Sequence, residues 1–298
     1  ATPTASCSSS TSDVVHEHDA SIEVLTQAVL RYAVDRTRLD PPPLDRPRTP
    51  AELAAMTGRT VTPSGVGGLE ALRIFSDVLA PACISTDHPR FLSFVPAAPT
   101  EAAILFDLVV GASSIYAGSW MEGSGAVHAE NEALRWLADL AGMPADAGGV
   151  FVSGGTAGNL SALVAARARW RARGGDDRAR AVVVSSEGAH SSIKAACRVM
   201  DADPVVVPAD ERGRMSGGAL QATLDALDPA ARSRVSAIVA TGGTTNVGVV
   251  DDLAGAADAA ERLGVWLHVD GAYGLAALTA PSARHLFDGI ERADSFIV

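Results

Sequence analysis

Val265-Trp266-Leu267-His268-Val269-Asp270 is a short apolar run that ends on a carboxylate, and Val235-Ser236-Ala237-Ile238-Val239-Ala240 is a similar run upstream. Between them Leu253, Ala256, Ala257, Ala260 and Leu263 recur at the spacing of one helix face, with Asp251 or Asp252 available as N-cap. Strand, helix, strand is the repeating unit of a parallel sheet. The runs are continuously apolar rather than alternating, as strands covered on both faces require. Val150-Phe151-Val152, Val182-Val183-Val184, Val205-Val206-Val207 and Ser295 to Val298 have the same texture, separated by alanine-rich helical segments. The pattern predicts an α/β domain with a mostly parallel sheet, whose ligands bind at the carboxyl ends of the strands.

Working outward, the amino-terminal part reads differently. Residues 19–38 have a helical pattern, which Asp40-Pro41-Pro42-Pro43 ends because prolines remove donors and impose extended geometry. Helical patterns resume near Ala51 and Leu69, and a loop follows through Asp87-His88-Pro89-Arg90-Phe91. Val127, Leu134, Leu137 and Ala141 then mark an amphipathic helix that Gly142 and Pro144 terminate. The division expected is a disordered Ser/Thr-rich tail over 1–18, a helical segment over 19–85 and a large domain over 86–298.

A chain of 298 residues, 47% hydrophobic, can bury a large core, and its net charge of −11 disfavours unspecific attraction to nucleic acid or anionic membrane. Three scattered cysteines form no metal or disulfide framework, and no apolar run approaches the ~20 residues of a spanning helix. Ala1 to Ser12 has no signal-peptide pattern, so the expected setting is the cytoplasm. Of 24 basic residues, Lys194 is the single lysine. Any lysine chemistry in this chain has one candidate.

Four strand ends carry groups suited to chemistry. Ser153-Gly154-Gly155-Thr156 turns from an apolar run into a helix; its glycines and helix N-terminus suit a phosphate, and Thr156 as a plain N-cap is the alternative. The turn is neither GxGxxG nor GxxxxGK[ST]. His190, after the second run, could stack on a flat ring and move a proton, or cap the helix that it opens. Thr245 sits in Thr241-Gly242-Gly243-Thr244-Thr245, again a strand end turning through glycines. Asp270 is costly to bury unless a cationic or hydrogen-bonding group meets it: a protonated pyridine nitrogen would do so, and capping the next turn is the other reading. His268, on the strand face opposite Val269, reads as core or supporting packing.

In this order, the four elements resemble the pyridoxal-phosphate-dependent group II amino-acid decarboxylases, relatives of aromatic-amino-acid and glutamate decarboxylases. The similarity runs from about His88 to Ala293-Asp294-Ser295-Phe296. It implies an aspartate-aminotransferase-like (fold type I) large domain preceded by a helical dimerisation arm, binding pyridoxal 5′-phosphate. It also implies that Gly155 and Thr156 contact the cofactor phosphate, His190 stacks on the ring, Thr245 lies beside it, Asp270 pairs with the ring nitrogen and Ala272 packs on the ring face. His190 and Asp270 are the catalytic residues it implies. A homodimer with a shared active site would follow, in which a second copy contributes the segment from Ile115 to Trp120, including Tyr116. Pro96 and Ala97 match the stretch that approaches the substrate. Ala97 lacks the hydroxyl some relatives carry there, and Gly118 lacks the bulky ring of aromatic-specific ones.

The family continues past an ADSF-like strand into an Asp/Asn-Pro-His-Lys-Trp run whose lysine attaches the cofactor, followed by a carboxy-terminal small domain. This sequence stops at Val298, so the 298 residues are expected to be part of a longer chain. Lys194, one helical turn beyond His190, reads as a solvated helix lysine. The activity implied is conversion of an L-amino acid to an amine and carbon dioxide. The same fold also accommodates aldehyde synthases and carbon–carbon lyases, and an inactive fragment serving as a dimerisation or binding module is the non-enzymatic alternative.

Overall fold

A computed structural model describes residues 20–93 and 99–298, and the chain divides into two compact units, Ala1–Val109 and Val110–Val298. In the first, α1 (Ala20–Thr37) runs to the proline stretch as expected, followed by α2 (Pro50–Thr57) and α3 (Gly68–Ile74). Thr49 and Glu52 close α2 with a reciprocal capping box, the side chain of each bonded to the other's backbone N–H. Tyr32 and Phe75 meet edge to face, and Arg36 pairs with Asp87 at 2.9 Å. The next helix, α4 (Glu101–Ser113), has no buried residue: Phe106 is 68% exposed, and Leu105, Leu108, Val109 and Val110 are exposed with it.

The second unit contains the sheet. After α5 (Trp120–Ala141), which ends on left-handed Gly142, and α6 (Gly155–Ala172), strands alternate with helices: β1 (Val182–Ser186), α7 (Ser191–Met200), β2 (Asp203–Val207), α8 (Gly217–Ala226), α9 (Pro229–Ser233), β3 (Val235–Thr241), α10 (Leu253–Leu263), β4 (Trp266–Asp270) and β5 (Ser295–Ile297). All pairings are parallel, in the order β2-β1-β3-β4-β5. The chain leaves β1 toward β2 and returns to the other side for β3, so the winding direction reverses there. Successive side chains go to opposite faces. Val184, Ile238, Leu267 and Val269 join Leu220, Leu224, Ala256, Ala257 and Ala260 of α8 and α10, whereas Val183, Ala237 and Val239 join Leu163, Ile193 and Cys197 of α6 and α7. Both faces are covered along β1, β3 and β4, which explains their unbroken apolar runs, whereas edge strand β2 leaves Val206 exposed.

Two local readings change. Val150-Phe151-Val152 is extended and exposed but is not a strand, because the sheet closes on β5 and no described strand lies alongside it to form a ladder. The Phe151 N–H instead donates to the Glu130 carboxylate at 2.8 Å. Of the two aspartates before α10, Asp252 is the cap, accepting from Gly255 N–H at 3.0 Å, while Asp251 turns inward and accepts from the N–H groups of Met215 and Thr241, both at 2.8 Å. Among the described residues no helix is long and apolar enough to cross a membrane.

Candidate functional site

Parallel register sets the carboxyl ends of the strands side by side. Thr241 pairs with Asp270, and Asp270 with Ile297. The Gly242 N–H donates to the Asp270 carbonyl at 2.7 Å, fixing the β3 turn against the end of β4. At this edge α6 begins. Its cap is Gly154, at φ +141°, a conformation that side chains rarely adopt, so Thr156 is not the cap but an exposed first-turn residue. A Cβ on Gly155 would lie 3.2 Å from the Ala272 methyl, which places the glycine turn against the second residue after β4. The N–H groups of Ala157 and Gly158 donate to the Gly154 carbonyl at 3.0 and 3.3 Å, which leaves those of Gly155 and Thr156 facing out of the helix, and the macrodipole makes that end positive.

Asp270 is 5% exposed. Its Oδ2 accepts from Asn159 Nδ2 at 2.8 Å, and its Oδ1 accepts from the Ala272 N–H at a long 3.3 Å. The turn-capping bond therefore exists but is the weaker of the two. Both donors are neutral. His190 is the N-cap of α7, exposed at the same edge, with Nδ1 accepting from the Ser192 N–H at 3.3 Å and lying 2.8 Å from Ser192 Oγ. Capping and exposure are compatible: one ring nitrogen is engaged, and the rest of the imidazole faces the site.

His268 is fully buried on the α6 side of β4, with Nε2 2.8 Å from Asn159 Oδ1 and Nδ1 2.9 Å from Ser295 Oγ. Burial pushes its pKa down to about 4 against the opposing pull of Asp270, so the ring is neutral near pH 7. Asp251 is shifted the other way, upward, because burial disfavours its charge.

The structure thus gathers Gly155, Ala272, Asp270 and, through Ser192 and Asn159, His190. Thr245 lies on the exposed turn after β3, beside buried Thr244, and Tyr116 is 69% exposed in the loop between α4 and α5. Pro96 and Ala97 fall outside the described residues. Lys194 is exposed on α7, as its sequence position suggests. The sequence reading missed Asn159, Ser192 and Ser295. The only signal for Asn159 was an amide four residues after Gly155, just inside a helix that opens on the candidate phosphate turn. A separate cavity of about 680 Å³ lies at the opposite ends of the strands, lined by Arg169, Trp170, Arg173 and Trp266 among others. Arg169 is already paired with Asp294 there and stacks over Trp266.

Residues 70–298 match the pyridoxal-dependent decarboxylase conserved domain. The chain is 35% identical over 212 residues to an aromatic-L-amino-acid decarboxylase of Bacillus atrophaeus, covering 70% of this chain and 43% of that protein. It is 37% identical over 212 residues to an L-2,4-diaminobutyrate decarboxylase of Rhizobium meliloti (strain 1021), covering 70% and 42%. The crystal structure of mouse CSAD superposes with a TM-score of 0.83 at 28% identity, over 94% of this chain and 60% of that one. The chain therefore spans less than half the length of those two curated relatives.

Proposed function

Because the chain belongs to the pyridoxal-dependent decarboxylase family, we propose that it forms the cofactor-binding part of an enzyme that converts an L-amino acid to an amine and carbon dioxide. The observation that carries this reading is Asp270, a carboxyl group 5% exposed, whose hydrogen-bond donors are the neutral Asn159 amide and Ala272 N–H. Among the described residues no cationic side chain pairs with it. A buried carboxylate in that position is matched by a cationic N–H, and the protonated ring nitrogen of pyridoxal 5′-phosphate is one.

The remaining groups fit the same ligand. Gly155 and Thr156 would hold the phosphate with first-turn N–H groups, His190 would lie on the ring, Thr245 beside it, and Ala272 would pack against its face. When bound, the cofactor supplies an electron sink for the bond-breaking step. The work of this chain is to keep a proton at the ring nitrogen through Asp270, to fix the ring's orientation, and to keep water away from the buried edge around Asn159 and His268.

A second copy of the chain is part of the proposal. The apolar, exposed α4 supports it, as does Tyr116, which is 69% exposed. The stretch containing Pro96 and Ala97 is the proposed substrate-side segment, and a cytoplasmic setting is supported by the free thiols of Cys83 and Cys197.

Calorimetric titration with 4′-deoxypyridoxine 5′-phosphate tests the cofactor reading, since this probe keeps the ring nitrogen and phosphate but has no aldehyde to react with Lys194. One site is expected, and Asp270→Ala should weaken it about tenfold or more, as a charge-assisted bond contributes about 1.5–3 kcal/mol. No binding, or equal binding by the variant, would refute the reading. Carbon dioxide release across a panel of L-amino acids then tests the reaction, with ammonia and peroxide release assigning the aldehyde route instead.

A further inference from the structure

We infer that Asn159 is the positioning residue that locks Asp270 and His190 to each other, an inference that rests on the cofactor reading of those two side chains. Its one NH₂ group donates one hydrogen to Asp270 Oδ2 at 2.8 Å and the other to Ser192 Oγ at 2.9 Å, and that hydroxyl meets His190 Nδ1 at 2.8 Å. A single amide on α6 thus holds the group at the edge of the proposed ring and the group on its face. Asn159 is 1% exposed and Ser192 3% exposed, so neither is braced by solvent.

The direction of the bonds follows from the Asp270 end, and the Trp266 end is compatible with it. Trp266 Nε1 can only donate, and it lies 2.7 Å from Ser295 Oγ. Ser295 accepts there with one lone pair and keeps its own hydrogen free to give to His268 Nδ1, 2.9 Å away. A carboxylate at Asp270 can only accept, which turns the NH₂ of Asn159 toward Asp270 and Ser192 and its Oδ1 toward His268; a neutral His268 then carries its hydrogen on Nε2 and donates to that oxygen at 2.8 Å. Burial of His268, which keeps the ring neutral, is what this arrangement requires.

Two consequences follow for the site. Ser192, accepting from Asn159, gives its hydrogen to His190 Nδ1, which leaves the hydrogen of a neutral His190 on Nε2 as an outward-facing donor. Asp270 keeps its carboxylate plane fixed by a neutral partner, so its charge stays available to a cationic ring N–H.

The test combines a tautomer measurement with a mutant cycle. In ¹⁵N NMR spectra of the histidine-labelled protein, His268 at pH 7 should show a protonated Nε2 and a bare Nδ1, and so should the neutral form of His190. A His268 that carries its hydrogen on Nδ1 would reverse the amide and overturn the inference, and this measurement needs no substitution. Asn159→Ala should weaken binding of 4′-deoxypyridoxine 5′-phosphate about tenfold, yet cause no further loss in a chain already carrying Asp270→Ala and His190→Ala. An unchanged Kd, or a tenfold loss that persists in that background, would refute the positioning role. If Asp270→Ala alone leaves binding intact, the failure belongs to the cofactor reading instead.

Discussion

Acidification should cost this fold stability through His268, and the amount follows from its environment. The ring is fully buried and its pKa is pushed from 6.5 down to about 4, so between those values the unfolded chain binds a proton that the folded chain refuses. Stability linked to this group is intact above pH 6.5 and declines as pH falls toward 4. Each pH unit in the window is worth about 1.4 kcal/mol, so the full loss is about 3 kcal/mol. Asp251 works in the opposite sense, since a buried carboxyl with a raised pKa takes up its proton more readily in the folded state. Comparing the wild type with His268→Gln cancels Asp251 and the surface carboxylates and leaves the histidine contribution. Urea midpoints, followed by tryptophan fluorescence between pH 7 and 4.5, should converge as pH falls, because the wild type alone loses stability through this site. Parallel curves, or a wild type that gains relative to the variant on acidification, would refute the reasoning.

Two further outcomes test packing and exposure. Gly289 has φ +102°, and a Cβ there would lie 2.6 Å from the backbone nitrogen of Ala254, so Gly289→Ala should lose about 2 kcal/mol or more in denaturant unfolding. Gly218, in the first turn of α8 with nothing within 4 Å of a built Cβ, should accept alanine with no loss and gain up to about 1 kcal/mol. Lys194→Gln, on the exposed face of α7, should change stability by less than about 0.5 kcal/mol and leave the Kd for 4′-deoxypyridoxine 5′-phosphate unaltered in the same titration.

The strands from β1 onward were legible because burial on both faces leaves an unbroken apolar run, and Asp270 was legible because a carboxylate stood where such a run stopped. Val150-Phe151-Val152 has the same composition, but composition does not report whether a neighbour exists to pair with. The choice between Asp251 and Asp252 turned on backbone direction: an antiparallel bridge between Gly242 and Val250 aims Asp251 inward and leaves Asp252 at the helix end. For α4 no period could be read, because it is apolar on every side and buries none of its residues. Asn159 escaped notice for a different reason. Its partners lie 33, 109 and 111 residues along the chain, and an asparagine inside a helix carries no local mark of what it will meet.

Those separations bear on when the site assembles. The polar network draws on α6, α7, β4 and β5, and the Asn159 amide is fully satisfied only when α6, α7 and β4 have docked. Contacts of such long range form after the local helices and the first strand pairs. Substitutions at Asn159 are therefore expected to act on the rate at which the folded chain opens and to leave the rate at which it forms nearly untouched. The same amide that orients the candidate site would then act as a latch on the finished domain.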